Sequence, residues 1–84
     1  MSPLSTPFDV EYLKSILNGA GYKNEADFVA DFNQRYPQSG LTLPVLITAF
    51  KFGIMNRNLL TDIAAFLDLN KDQFVKLIKG DGLI

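Results

Sequence analysis

Asp27 and Asp31 stand four residues apart in the stretch EADFVADF. On a helix that spacing puts both carboxylates on one face, a turn apart, where two acids can hold a cation or share a proton. Such a site needs a further ligand, and the chain contains neither His nor Cys. That absence excludes zinc chemistry of the usual kinds, imidazole general-base catalysis and a thiolate nucleophile. A hydroxyl nucleophile would have to be Ser15 with Lys14 or Lys51 as its base, and nothing else in the sequence supports that pairing. Gly19-Ala20-Gly21 follows a helical pattern and not a strand, so it reads as a helix stop and not as a phosphate cradle. The aspartate pair therefore reads as a solvated helix face. No catalysis, metal or cofactor is expected.

The remaining polar residues suit recognition better than reaction. Residues 1–31 carry five acids against Lys14 and Lys23, a balance of −3. Residues 32–61 contain no acid and carry Arg35, Lys51 and Arg57, a balance of +3. Residues 62–84 return to −1, and the whole chain is at −1. An acid-free window of this length is what a surface for an anionic partner would show, and an apolar core segment would show it as well. Nine residues in and around the window have the right chemistry for DNA. Arg35, Lys51 and Arg57 suit phosphates, and Gln38, Ser39, Thr42, Thr48, Asn56 and Asn58 suit base edges or the sugar-phosphate backbone. The same residue types also make turns, caps and connectors.

The elements that would position them are helical. Residues 41–54, LTLPVLITAFKFGI, are the most apolar run, capped by Thr42 and stopped by Gly53. A helix this apolar is expected to be buried by its neighbours, with only a narrow stripe through Pro44, Thr48 and Lys51 left in water. It is too short for a bilayer, which takes about 20 apolar residues. Before it, Thr6-Pro7 reads as the start of a first helix, with Asp9 in its first turn. Asn24 caps a second helix, with Ala26, Phe28, Val29, Ala30 and Phe32 on its apolar face, closed ahead of Pro37. Residues 33–42 form a polar turn. Asn56-Arg57-Asn58 reads as a connector into a fourth helix that runs to Leu69. Asn70 and Gln73 form the capping pair of a fifth, ended by Lys79 and Gly80. No stretch alternates long enough to be read as a strand.

The expected architecture is an all-α, compact bundle of five short helices forming a single domain over residues 1–84, with 1–5 and 81–84 as loose ends. A chain of 84 residues buries only about 60% of its unfolded surface. The N-terminus has neither the basic start nor the apolar core of a signal peptide, so a cytoplasmic protein is expected.

Residues 59–82, LLTDIAAFLDLNKDQFVKLIKGDG, resemble the fourth and fifth helices of lambda-repressor-like helix-turn-helix domains. They share an apolar pair, an Ile-Ala step, a capping polar residue and a final Leu-x-x-Gly. EADFVADF is similar to the family's second helix, with Phe28 in the apolar slot. The resemblance implies residues 43–52 as the recognition helix. It also implies a small DNA-binding transcriptional regulator of phage or bacterial type, acting on double-stranded DNA as a homodimer that reads paired half-sites. Here the segment between the second and third helices is longer than the family's and holds Pro37, and the recognition helix offers only Thr48 and Lys51 as polar side chains. The competing expectation is a helical protein-interaction module, an inhibitor or adaptor that binds a protein partner and no DNA. Net acidity, the apolar central helix and the terminal Leu83-Ile84 motivate it. No membrane partner is expected.

Overall fold

A computed structural model describes residues 5–78. In order, the elements are β1 (Ser5–Pro7), α1 (Val10–Gly19), α2 (Glu25–Arg35), α3 (Leu43–Phe52), β2 (Ile54–Asn56), α4 (Arg57–Phe66) and α5 (Lys71–Leu77). The five helices are accompanied by a small antiparallel ribbon of β1 and β2. Leu83-Ile84 and the expected helix end at Lys79-Gly80 lie outside the described residues. No helix among the described residues is long and apolar enough to cross a membrane.

Local sequence explains most helix ends. The Asn24 side chain accepts from the Asp27 N–H (2.9 Å), and Thr42 Oγ1 accepts from the Val45 N–H (3.3 Å). Asn70 and Gln73 complete a reciprocal capping box at 2.8 and 2.9 Å. Gly21 (φ 95°) and Gly53 (φ 70°) end α1 and α3 in the left-handed region that glycine adopts without a Cβ clash. Asp68 does the same job after α4 at φ 58°. The Leu69 N–H returns to the Ala64 carbonyl and the Asp68 N–H to Ala65.

The N-terminus departs from expectation. Thr6 and Pro7 do not open a helix; they belong to β1, and the cap of α1 is Asp9, whose Oδ1 accepts from the Tyr12 N–H (3.0 Å). Long-range partners decide this. The Phe8 N–H donates to the Gly53 carbonyl (3.0 Å) and the Asp9 N–H to the Leu77 carbonyl (2.8 Å). Thr6 faces Met55 and Pro7 faces Ile54 across the ribbon. Since Phe8 and Gly53 are hydrogen-bonded in that register, alternation makes Pro7–Ile54 a non-bonded pair. The N–H that proline lacks would therefore have pointed away from β2, the place where a strand tolerates proline. Asn56-Arg57-Asn58 is likewise no connector. Asn56 ends β2 and caps α4 by accepting from the Asn58 N–H (2.8 Å), and α4 starts at Arg57 and stops at Phe66.

The core is built on an aromatic cluster. Phe28, Phe32 and Phe66 lie with ring centroids 5.5–5.7 Å apart, joined by Tyr22 and Tyr36. Leu13, Leu41, Leu46, Leu60, Ile63 and Leu77 complete it, all at 1% exposure or less. Ala26 and Ala30, expected on the apolar face of α2, are exposed. The radius of gyration, 12.0 Å, is that of a compact domain of this size, about 12 Å.

Candidate interaction surface

α3 does not sit inside the bundle. Of its ten residues only Leu46 and Ala49 are buried. Pro44, Thr48 and Lys51 form the expected wet stripe, but its flanks are wet as well. Val45 is 40% exposed, Ile47 50% and Phe52 66%. A helix lying on a bundle buries one side, and α3 carries more apolar residues than one side can hold. The buried side is fixed by Leu46 and Ala49; the surplus falls on the surface.

Most of that surplus meets the ribbon. In both strands the middle residue is buried and its neighbours are exposed, so Thr6 and Met55 face the core while Ser5, Pro7, Ile54 and Asn56 face out. Ile54 is 47% exposed. It stands between two open hollows. One, of about 370 Å³, is formed by Pro44, Val45, Thr48 and Ala49 of α3 with Ile54, Met55 and Leu59. The other, of about 450 Å³, is formed by Phe52, Gly53 and Ile54 with Pro7, Val10 and Glu11. Val45, Phe52 and Ile54 thus belong to one apolar strip along α3 and the ribbon. Such strips on the surface of a folded domain mark contact sites. Ile47 lies on the other flank of α3.

The residues expected to read DNA divide into groups. Arg35, Gln38 and Ser39 line a hollow of about 340 Å³ with Tyr36, Pro37 and Asp62. Gln38 and Ser39 also line an adjoining one of about 350 Å³ with Asn56, Asn58, Leu59 and Asp62. The structure therefore brings Arg35, Gln38, Ser39, Asn56 and Asn58 together. It brings Asp62 with them, the first acid after the acid-free window, and a carboxylate there opposes phosphate. Several of these side chains are already employed. Ser39 Oγ accepts from the Leu41 N–H (3.1 Å), Thr42 caps α3 and Asn56 caps α4. Thr48 joins Asn56 in the apolar hollow. Lys51 lies apart, its Nζ 5.7 Å from the Phe52 ring centroid. The Arg57 carbonyl accepts from Thr61 Oγ1 (3.0 Å) within α4.

Sequence reasoning missed Val45, Phe52, Ile54 and Asp62. The signal for Val45 and Phe52 was the excess of apolar residues over one helical face, and Ile54 continues the same apolar run into β2. Asp62 carried none, because its place beside Gln38 is a tertiary fact.

The aspartate pair stays as expected on the exposed side of α2. Asp31 accepts from the Tyr22 hydroxyl (3.0 Å). Burial foremost, then that hydrogen bond and the Asp31 charge, raise the Tyr22 pKa above its ordinary value. No group of three or more acidic side chains that would hold a metal occurs among the described residues. Every buried side-chain nitrogen and oxygen among them has a hydrogen-bond partner. None of the described buried groups is left orphaned for a ligand to satisfy.

Comparison with known proteins adds no family to this geometry: no family model, no curated protein and no solved structure matches the chain.

Proposed function

We propose that this chain is a helical protein-interaction module that works through the apolar strip of α3 and the ribbon. The observation that carries the reading is the exposure of Val45, Phe52 and Ile54 on one side of the domain, beside hollows that contain no buried polar group seeking a ligand. Apolar anchors over concave ground are how a folded domain binds a protein segment. Affinity capture with the whole chain as bait tests it. A protein partner should be retained at high salt and lost from a Val45→Asp, Phe52→Asp bait that still folds. Retention undiminished by those substitutions would sink the reading.

A second reading, a lambda-repressor-like DNA-binding regulator, is favoured by the meeting of Arg35, Gln38, Ser39, Asn56 and Asn58 at one end of the fold. Here Asp62 supplies a test with a definite sign. On this reading Asp62→Asn tightens binding to mixed duplex DNA at low salt, while Arg35→Ala weakens it and flattens its salt dependence. No binding at low salt ends the second reading and leaves the first untouched.

A further inference from the structure

Resting on the protein-binding reading, we propose that the partner is a peptide segment carrying a basic side chain close to its apolar anchor. The anchor enters the hollow beside Val45 and Ile54, and the Lys or Arg reaches Asp62.

The two places are continuous. The hollow formed by Val45, Thr48 and Ile54 and the one formed by Gln38, Asn58 and Asp62 have Asn56 and Leu59 as common lining. Leu59, half-buried in the first turn of α4, is the wall between them. A segment seated on the apolar strip therefore carries its next side chains over the second hollow.

Their electrostatics differ. No charged residue lines the first hollow. Asp62 is the one charge in the second, set among hydroxyl and carboxamide side chains. It is half-buried, and among the described residues its carboxylate has neither a hydrogen-bond donor nor an ion pair. Arg35 shares the adjoining hollow with it, yet no ion pair joins the two. A carboxylate held partly out of water without a partner is destabilised, and a cation brought from outside relieves that. The side chains of Gln38 and Asn58 also make no hydrogen bond among the described residues. Their carboxamide oxygens can accept from an incoming ammonium or guanidinium alongside the carboxylate.

The lining also selects the kind of cation. Leu59 and Asp62 stand three residues apart on α4, so they are neighbours on one helical face, about 5–6 Å between Cβ atoms. Lys and Arg lay their methylene stems along apolar surface and keep the charge at the tip. Leu59 supplies the surface and Asp62 the counter-charge one stem length away. In the partner, side chains on one side repeat every second residue in a strand and every third or fourth in a helix. The basic residue accordingly lies about two to four positions from the apolar one.

Panning a random peptide library on the whole chain reads both side chains at once. Selected peptides should carry Lys or Arg about two to four positions from a large apolar residue. With Asp62→Lys as bait that preference should turn to Asp or Glu, and Val45→Asp should lose the apolar one. Titration of one selected peptide should show Asp62→Asn weakening binding about fivefold at low salt. Replacing the peptide's basic residue by Gln should cost the wild-type chain as much and the Asp62→Asn chain little. Circular dichroism confirms that the variants fold, and Asp62→Asn alone serves if Asp62→Lys does not. Selected peptides without a basic preference, or with one that Asp62→Lys leaves intact, overturn the proposal; if their apolar preference is still lost with Val45→Asp, the protein-binding reading stands. A library that yields no binder overturns it as well. The sign at Asp62 separates this site from DNA binding, which Asp62→Asn would tighten.

Discussion

Two substitutions on α3, six residues apart, separate a surface helix from a buried one. Leu46 is fully buried among the core leucines, and Phe52 is 66% exposed. Leu46→Ala removes a packed side chain and leaves a cavity, which costs about 2–5 kcal/mol. Domains of this length have about 4–13 kcal/mol in all, so the loss is a large part of the total. For Phe52→Ser the same bookkeeping gives a small number. Burying a whole Phe side chain is worth about 1.5–3 kcal/mol, and only a third of Phe52 is covered, which leaves about 0.5–1 kcal/mol. Ser and Phe have similar helix propensity, so the backbone adds little. Losing the exposed Lys51 contact with the ring adds about 0.5 kcal/mol. The sum is about 1–1.5 kcal/mol. Urea unfolding at high dilution, where association contributes nothing, measures both. The midpoint should fall further for Leu46→Ala than for Phe52→Ser, at an unchanged slope. Equal losses would mean that the outer flank of α3 is packed, and the interaction surface would vanish with that result.

Three further outcomes follow from particular contacts. Asn33 Nδ2 donates both to the Val29 carbonyl (3.0 Å) and to the Leu41 carbonyl (2.9 Å), fastening the turn before α3; Asn33→Ala should cost about 1–3 kcal/mol in chemical denaturation, and a loss under 0.5 kcal/mol would show the turn is held otherwise. Asp68→Gly should stabilise by about 0.5 kcal/mol, the left-handed penalty relieved (about 1–2) less the entropy glycine adds to the unfolded chain (about 0.5–1); a lower melting temperature would contradict it. Tyr22 has its pKa raised in the folded state, so its contribution is complete below the unfolded value of about 10 and is lost as pH climbs through the higher folded value. Tyr22→Phe should therefore remove part of the alkaline loss of stability while leaving the acid limb alone, and an unchanged alkaline limb would refute the link.

Features written within a few residues were legible in the sequence. Asn24, Thr42, Gly53 and the Asn70–Gln73 pair announce helix ends through their own side chains or backbone freedom, and the structure keeps each of them. Pro7 was not legible, because proline fits both a helical first turn and an edge strand, and Gly53, 46 positions along, decides between them. Three-residue strands show no measurable alternation. The spread of charge pointed to residues 32–61, but which of them gather around Asp62 depends on how the turn at Gln38 folds against α4. The apolarity of α3 identified a helix with a core side. How much of the rest would be covered depended on neighbours that only the tertiary fold places.

The bonds from Phe8 to Gly53 and from Asp9 to Leu77 tie the start of the chain to its middle and to its last described helix. Joining segments so far apart costs loop entropy before it returns any contact energy. α2 packs on α3 and on α4, which lie closer to it along the chain, and such contacts form ahead of long-range strand pairing. Weakening the Thr6–Met55 pairing would then speed unfolding far more than it slowed folding. In that order of assembly the ribbon acts as a latch, and it would set how long the assembled domain lasts more than how quickly it forms.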